Sequence, residues 1–542
     1  MKINSAVKLG TVATFAAVLL AACGSSSSSS SEASKQTLNW MESSALPSMD
    51  SATATDVVSG ETLNNTNEGL LRFGKNSKVH PGVAKSYTVS KDGKTYTFNL
   101  RKSNWSNGTK VTAKDFVYAW QRTVNPKTAS QYAYMYAPVK NANEIMTSKK
   151  PVSSLGIKAE GNYKVVVTLT QATSYFPSLV ASPMFFPQSK AVVDKYGKKF
   201  ATNAKDNVYN GPFKLTYWTG TSDNWSMSKN TEYWNAKNVK LKKINFKTMK
   251  DPQTSLSQYQ SGKLDATYLS GQQPKNYKND KQYVERKGAS TFYIELNQRK
   301  DSMMKNKKAR QALSLAINRK QFVNKVLADG STQTKGLVST GLMSYKGKDF
   351  NTASYVPEAT NHDLAKAKTL WKQALKETGR SSYNLTLMAD DTPAGKNTLE
   401  FVQSQWSKLG NIKVTNQSLP FKTRLARSEN GQFQAVVSGW GADYPDAISF
   451  LEMFTKTNSY NRGKWNNAEY NKDIAAADGK DANNEAARWT DLVDAQKTLM
   501  KDQGIIPLYQ QGKSQLVKSN VKGVIYFPTG ANWDFSKAYI SK

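Results

Sequence analysis

One stretch of the chain alternates hydrophobic and polar residues with a period of two, which is the pattern of a half-buried β-strand, and a second is a β-branched run of strand length. In KTYTFNLR, the side chains of Tyr96, Phe98 and Leu100 fall on one face. The run YKVVVTLT, which begins at Tyr163, is rich in β-branched residues. Both stretches are predicted to be strands.

Three other stretches repeat apolar residues at helical spacing. VTAKDFVYAWQRTV begins with a predicted capping box, in which Thr112 is the N-cap and Asp115 the third helical residue. HDLAKAKTLWKQALKETG is predicted to end before Gly379, and ARQALSLAINRKQFVNKVLADG is predicted as a helix that ends at Gly330. Because helix and strand signals alternate throughout, we predict an α/β protein with several sub-domains.

Length and charge narrow the class of protein. The chain has 542 residues, enough for two to four domains at about 150 residues each. Its formal charge of +34 would attract any polyanion. However, lysine and arginine are spread along the whole length, without an arginine-rich run or a zinc-finger spacing. We therefore predict a solvated basic surface near anionic lipid or cell wall, and no binding of nucleic acid.

The N-terminus predicts export and a lipid anchor. Lys2 and Lys8 precede an apolar run of residues 9–22, too short for the roughly 20 residues that span a bilayer. We predict that residues 1–22 are a signal peptide. The sequence LAAC resembles the lipobox of bacterial lipoproteins and implies lipid attachment to Cys23, the single cysteine. Residues 23–35, with serine at 25–31, would form a flexible tether at the outer face of the membrane.

Catalytic motifs are scarce. With two histidines, and with the single cysteine assigned to the lipid, we predict no Cys/His zinc site, no Ser-His-Asp triad and no cofactor or metal. Two carboxylates in SGWGADYPDAISFL, Asp443 and Asp446, could in principle serve a hydrolase, because some glycosidases need only two acids about 5–10 Å apart. A turn at Pro445 explains them as well. The residues alone leave an exported binding protein and a hydrolase open.

Several motifs together resemble the extracellular oligopeptide-binding proteins of peptide ABC importers, which are family 5 solute-binding proteins. VSKDGKTYTFNLRKSNWSNGTKVTAKDFVYAW matches the family pattern, and YNGPFKL, NTEYWNA, YQSGKLDATY, ARQALSLAINR and GWGADYPDAISFL follow in the expected order. The resemblance covers residues 36–542. It implies a binding protein rather than an enzyme.

The resemblance also implies the architecture: a two-lobed periplasmic-binding-protein-like α/β fold of type II, with three sub-domains, that closes on a hinge. Lobe I would comprise residues 36–70, 205–300 and 513–542. Residues 71–204 would form an accessory sub-domain of that lobe, and residues 301–512 would form lobe II. The chain would cross the hinge near 297–301 and near 510–515.

By the same resemblance, Asp443 would bind the α-ammonium group of a peptide, in a charge-assisted hydrogen bond. The backbone of the same segment would pair with the peptide main chain as an added strand. The opposite strand would come from the segment around Thr55 and Val57. Glu295 and Phe421 would line side-chain pockets, although Glu295 could also be an outward strand residue. In the segment that contains Asp443, the residues expected to contact the peptide are Gly439, Trp440, Gly441 and Tyr444.

One departure from the family concerns the peptide carboxylate. Members that prefer very short peptides carry an arginine where Val437 stands here, and a second anchor, often histidine, falls near Gly395. We therefore expect a loosely held C-terminus and acceptance of longer peptides. The expected partners are oligopeptides, a permease and its ATPase subunits, and the protein is expected to be a monomer. Because this fold also carries nickel chelates, haem, sugars and signalling peptides, another ligand remains the alternative.

Overall fold

The predicted strand at Thr95–Leu100 belongs to one of three large sheets in residues 36–542, the part of the chain that the computed structural model describes. The signal peptide, the tether and Cys23 lie outside the described residues. Residues 36–542 form an α/β fold of two lobes, as predicted.

The sheets mix parallel and antiparallel strands. The first contains, in spatial order, Thr37–Glu42, Lys243–Thr248, Asn224–Lys229 and Phe213–Tyr217. The second contains Ala84–Val89, Thr95–Leu100, Lys164–Thr168 and Ile157–Ala159. The third contains Ala266–Leu269, Ile505–Val517, Tyr283–Leu296, Ala435–Gly441, Tyr383–Asp390 and Ile412–Leu419, with Thr332–Gln333 paired to Ile505–Val517. Two-stranded ribbons pair Leu71–Phe73 with Val79–Pro81, Ser344–Tyr345 with Lys348–Asp349, Val521–Lys522 with Tyr539–Ile540, and Ile525–Tyr526 with Trp533–Asp534.

Helices cover the sheets and connect their strands. The α-helices are Val57–Thr66, Ala113–Val124, Ala142–Met146, Phe176–Val180, Lys190–Tyr196, Pro252–Gln260, Gln273–Tyr277, Ser302–Lys305, Lys307–Leu315, Arg319–Gln321, Phe350–Ala353, Pro357–Thr360, Leu364–Glu377, Pro393–Ser407, Phe421–Glu429, Ile448–Leu451, Ala468–Asp478 and Glu485–Lys501.

Local sequence chemistry determines several of these elements. Tyr96, Phe98 and Leu100 are buried on one face of their strand, as predicted. The helix Ala113–Val124 begins with the predicted capping box, in which the Thr112 backbone N–H donates to Asp115 Oδ2 at 2.7 Å. The helix Leu364–Glu377 also forms as predicted, and buries Ala367, Trp371 and Leu375 of its expected stripe.

The predicted helix of residues 309–330 is wrong as a continuous element. The helix Lys307–Leu315 ends, and a new turn starts at Asn318, whose side chain accepts a hydrogen bond from the Gln321 backbone N–H. A π-helical segment, Phe322–Leu327, follows. The guanidinium of Arg319 turns inward and donates to four carbonyl oxygens, those of Ser314, Ile317, Thr360 and Pro507. Two of these contacts reach distant segments, and together they satisfy a buried cation at the point where the helix is interrupted.

Two long strands of the third sheet, Tyr283–Leu296 and Ile505–Val517, connect the two predicted lobes. Their antiparallel register is interrupted between Lys287 and Thr291. Gly512 lies opposite this interruption, and a Cβ atom there would stand 2.2 Å from the carbonyl oxygen of Gly330. The close approach of the two backbones therefore requires a glycine at position 512.

The buried apolar side chains form three main clusters. One lies within predicted lobe I and contains Trp40 and Trp533. Another surrounds Trp371 in predicted lobe II and also includes Ile294 and Leu296, from the end of the strand Tyr283–Leu296. The third joins the predicted accessory sub-domain to lobe II, since it contains both Trp120 and Phe454. The predicted accessory sub-domain and predicted lobe II therefore share one apolar core. The domain boundaries themselves stay a prediction.

Candidate functional site

A cavity of about 410 Å³ lies between the three predicted sub-domains. Its walls come from distant parts of the chain, including residues 41–61, 182–184, 268–270, 389–395 and 437–443. Of the predicted site residues, the following line it: Thr55, Val57, Glu295, Phe421, Gly439, Trp440, Gly441 and Asp443. Val437 and Gly395, the two positions at which this chain departs from the family, line it as well.

The strand Ala435–Gly441 offers a backbone edge to this cavity. On one side, its whole length pairs with the strand Tyr283–Leu296. On the other side, among the described strands, it pairs with Tyr383–Asp390 only through Ala435 and Val436. Residues 437–441 therefore present unpaired main-chain groups, which is the geometry needed for strand addition.

The residues along this edge allow the backbone to pack closely on the neighbouring strand. A Cβ atom at Gly439 would stand 2.9 Å from the ring of Phe292, so a side chain at this position would displace that ring. The indole Nε1–H of Trp440 donates to the Ser449 carbonyl oxygen at 2.8 Å, which fixes the ring below the edge. The edge is consequently open on one side and rigidly supported on the other.

Asp443 follows the edge directly and is 7% exposed. Its backbone N–H donates to Ser449 Oγ at 2.9 Å, and the Tyr132 hydroxyl donates to its Oδ1 at 3.4 Å. Its Oδ2 is buried, with no hydrogen-bond partner among residues 36–542. Burial raises the pKa of Asp443 to about 7, against the opposing hydrogen bonds of Tyr132 and Ser449. This carboxyl group is therefore poised to accept a cationic donor.

Asp446 has a different environment, although it lies only three residues further on. Both of its carboxylate oxygens accept hydrogen bonds from the Arg488 guanidinium, at 2.8 and 2.9 Å. Its Oδ1 also accepts from the Ile448 backbone N–H at the start of the helix Ile448–Leu451. Asp446 does not line the cavity. It is a structural residue of the turn, in agreement with the turn or cap expected from Pro445.

The placement of Tyr444 differs from the expectation that it contacts ligand. Its side chain points away from the cavity and stacks on Tyr175, with ring centroids 5.4 Å apart. Its hydroxyl donates to Glu452 Oε1 at 3.3 Å. The backbone bends at Asp443 and Tyr444, and of these two residues only Asp443 lines the cavity.

The segment Thr55–Val57 is not a strand, contrary to the expectation. Asp56 is the N-cap of the helix Val57–Thr66, because its Oδ1 accepts a hydrogen bond from the Ser59 backbone N–H. Val57 is thus the first helical residue, and the backbone of Asp56 before it is extended. Thr55 and Val57 still lie on the cavity wall.

Glu295 and Phe421 occupy further parts of the wall. Glu295 is 2% exposed, which excludes an outward position, and its Oε1 accepts a hydrogen bond from the Gly463 backbone N–H at 2.5 Å. Burial raises its pKa to about 7. Phe421 begins the helix Phe421–Glu429, and the Arg424 guanidinium lies 5.1 Å from its ring centroid. Arg424 in turn pairs with Asp390 at 2.9 Å.

Other cavity residues were missed from the sequence: Glu42, Glu61, Tyr132, Asp390, Arg424, Arg462, Tyr509 and Lys513. They belong to elements whose pairing brings distant segments together, and no local spacing marks them. In the described part of the chain, no group of three or more His, Cys, Asp and Glu residues could hold a metal ion. Nor does any helix there combine the length and apolar character needed to cross a membrane.

Comparison with known proteins places this site in a family. Residues 78–462 match the family described as "Bacterial extracellular solute-binding proteins, family 5 Middle". The chain is 36% identical over 557 aligned positions to a "Dipeptide-binding protein" of Lactococcus lactis subsp. cremoris, with 100% of each sequence covered.

Solved structures give the same answer. The structure "Listeria monocytogenes OppA bound to peptide" has a TM-score of 0.90 and 36% identity, covering 94% of this chain and 99% of that one. The substrate-binding domain of an oligopeptide ABC transporter from Bacillus anthracis has a TM-score of 0.91 and 37% identity, again covering 94% and 99%. The chain therefore belongs to the bacterial extracellular solute-binding proteins of family 5.

Proposed function

We propose that this protein captures oligopeptides outside the membrane and delivers them to a peptide ABC importer. The observation that carries the proposal is the backbone edge of residues 437–441, which leads to the buried Oδ2 of Asp443; within residues 36–542 both the edge and this oxygen lack a hydrogen-bond partner. The first group of atoms suits a peptide main chain, and the second suits its terminal ammonium. The printed names of the relatives, a dipeptide-binding protein and a peptide-bound structure, support the same ligand class.

Main-chain pairing explains how such a site could accept many sequences. Every peptide carries the same N–H and C=O groups, so pairing along residues 437–441 is independent of side chains. The ammonium contact then fixes the register, since it is available at one end of the peptide only. Side chains of the peptide would enter the remaining cavity between Glu295, Phe421 and the wall around Thr55.

Contacts between the predicted sub-domains would couple ligand binding to closure. Tyr132, from the predicted accessory sub-domain, reaches Asp443 in predicted lobe II. Tyr175, from the same sub-domain, stacks on Tyr444, and its hydroxyl donates to Asp478 Oδ1 at 3.0 Å. A ligand that occupies the cavity touches both regions, and so stabilises their association by its differential affinity for the closed form.

The protein would act at the outer face of the cell membrane, anchored through lipid on Cys23 and working as a monomer. This finer part of the proposal depends on the lipobox and the serine tether of the sequence. Transport energy would come from separate ATPase subunits. Hydrolysis by Asp443 and Asp446 is disfavoured, because Asp446 is held by Arg488 and lies outside the cavity.

Titration with alanine-based peptides of increasing length tests the proposed function. We expect binding by peptides longer than three residues, because Val437 and Gly395 supply no cation to hold a C-terminal carboxylate at a fixed distance. Isothermal titration calorimetry measures the affinity, and mass spectrometry of material released from the purified protein identifies natural ligands. A complete failure to bind any peptide would refute the function, whereas a sharp maximum at three residues would refute only the loose C-terminus.

The affinity should also depend on pH through Asp443. With a pKa of about 7 in the free protein, this group is largely protonated at lower pH. An ammonium partner favours the charged carboxylate, so the pKa falls on binding and each pH unit below 7 should weaken binding by up to about tenfold. Above about pH 8 the peptide's own α-amino group loses its proton, and affinity should fall again.

Calorimetry of one alanine peptide between about pH 5 and pH 9 would reveal this optimum at about 7–8. The N-acetylated peptide is the control, because it has no ammonium group and should lack the optimum. A profile of the free peptide that is flat across this range would contradict the assignment of Asp443.

A further inference from the structure

A second acidic feature lies on the lobe I wall of the cavity. It consists of Glu42, the last residue of the strand Thr37–Glu42, and Glu61 on the helix Val57–Thr66. Both side chains line the cavity, and both residues are 6% exposed. Oε1 of Glu42 and Oε2 of Glu61 are buried without a hydrogen bond from any described donor. Two buried carboxyl groups with free acceptor atoms are unfavourable unless a cation or a proton joins them.

The neighbouring described side chains do not supply a cation that is hydrogen-bonded to the pair. Asp56 uses its own carboxylate to cap the helix through Ser59. The charge of Lys513, on the neighbouring strand Ile505–Val517, lowers the pKa of both glutamates, but among the described residues its ammonium group makes its hydrogen bond to Asn532 and not to either glutamate. Its Nζ lies 3.4 Å from Asn532 Oδ1 and 5.6 Å from the ring centroid of Tyr268. Lys513 therefore moderates the local potential without filling the acceptors of the pair.

Burial raises the pKa of Glu42 and of Glu61, and mutual repulsion adds to this for Glu61. The pair consequently holds a proton at neutral pH, as two adjacent carboxyl groups do when they cannot both ionise. Neither glutamate is among the groups that shift the pKa of Asp443. The pair is thus electrostatically separate from the proposed ammonium receptor.

We propose that Glu42 and Glu61 form a subsite for a cationic side chain, lysine or arginine, of the bound peptide. This inference rests on the proposed peptide-binding function and adds a side-chain preference to it. The incoming ammonium or guanidinium replaces the shared proton, which leaves for the solvent, and the two carboxylates become its charge-assisted acceptors. A neutral side chain of equal length would leave the protonated pair as it is.

The test compares hexapeptides of alanine that carry one lysine, at positions two to six in turn, with the same peptides carrying norleucine. At one position, the lysine peptide should bind about tenfold more tightly at pH 7 than its norleucine counterpart. Calorimetry in buffers of different ionisation enthalpy should also show up to about one additional proton released by the lysine peptide. Protons released at Asp443 are common to both peptides and cancel in the comparison.

Two variants locate the effect. Glu61→Gln and Glu42→Gln should each remove the lysine preference and the additional proton release, while the norleucine peptide still binds. Glu144→Gln, an exposed residue outside the cavity, is the matched control and should leave both peptides unchanged. Equal affinities of the lysine and norleucine peptides at every position would overturn the subsite while leaving the proposed function intact. Failure of every peptide to bind would overturn the function, and the subsite with it.

Discussion

Replacement of Asp443 by alanine should weaken the binding of a free peptide by about 2–5 kcal/mol, which is roughly 30-fold or more. The reason is that the peptide ammonium would enter a buried site whose acceptor has been removed, and would stay desolvated and unpaired. The hydroxyl of Tyr132, which reaches Asp443 at 3.4 Å, cannot neutralise that charge. Calorimetric titration with one alanine peptide measures the loss.

N-acetylation of the peptide provides the complementary change. Acetylation should weaken binding to the wild-type protein strongly, yet have little further effect on the Asp443→Ala variant, because each change removes one partner of the same contact. Asp194→Ala, at an exposed residue distant from the cavity, is the control and should keep the wild-type affinity. Unchanged affinity in both the variant and the acetylated peptide would disprove the ammonium contact.

The same variant should not unfold the protein. Asp443 Oδ2 is buried with no described hydrogen-bond partner, so removal of the carboxyl group relieves a desolvation cost and breaks only the long hydrogen bond from the Tyr132 hydroxyl, at 3.4 Å. An unfolding temperature equal to or above that of the wild type is the expected accompaniment. A residue that is costly to the fold but needed for the ligand is typical of a binding site.

Features with local physical causes could be predicted from the sequence. The strand Thr95–Leu100 and the capped helix Ala113–Val124 formed as expected because alternation, capping and apolar spacing act within a few residues. The interrupted helix after Leu315 could not be predicted in this way. The Asn318 cap of the new turn is local, but the inward position of Arg319 depends on contacts with Thr360 and Pro507, which are remote in sequence.

The candidate site also combines residues that could be predicted from the sequence with residues that could not. The segment from Gly439 to Asp443 was identified through a family motif, and the structure places these residues along one edge of the cavity. By contrast, Glu42 and Glu61 meet only because a strand and a helix from separate segments lie on the same wall. Their sequence neighbours are unremarkable, so their juxtaposition is a property of tertiary packing.

Replacement of Asp446 by alanine should lower the stability of the protein strongly and leave peptide affinity nearly unchanged, whereas Asp443→Ala should lower affinity and not stability. The carboxylate forms a two-pronged ion pair with Arg488 at 2.8 and 2.9 Å, and both residues are buried. Removal of Asp446 leaves the guanidinium without its hydrogen-bonded carboxylate and with only the charge of Asp478 nearby, at a cost of about 3–5 kcal/mol in the free energy of unfolding. Chemical denaturation followed by tryptophan fluorescence measures the change.

The matched variant is Asp446→Leu combined with Arg488→Met, which removes both charges and fills their volume. It should be less destabilised than Asp446→Ala, since no buried guanidinium is left without its hydrogen-bonded carboxylate. While still folded, the Asp446→Ala variant should bind peptide with nearly wild-type affinity, because Asp446 does not line the cavity. A selective loss of affinity with unchanged stability would instead assign Asp446 to the ligand and revive the pairing of the two aspartates. Asp443 and Asp446 are only three residues apart. Because Arg488 binds Asp446, that residue supports the fold, whereas Asp443 is left as the proposed ligand-binding residue.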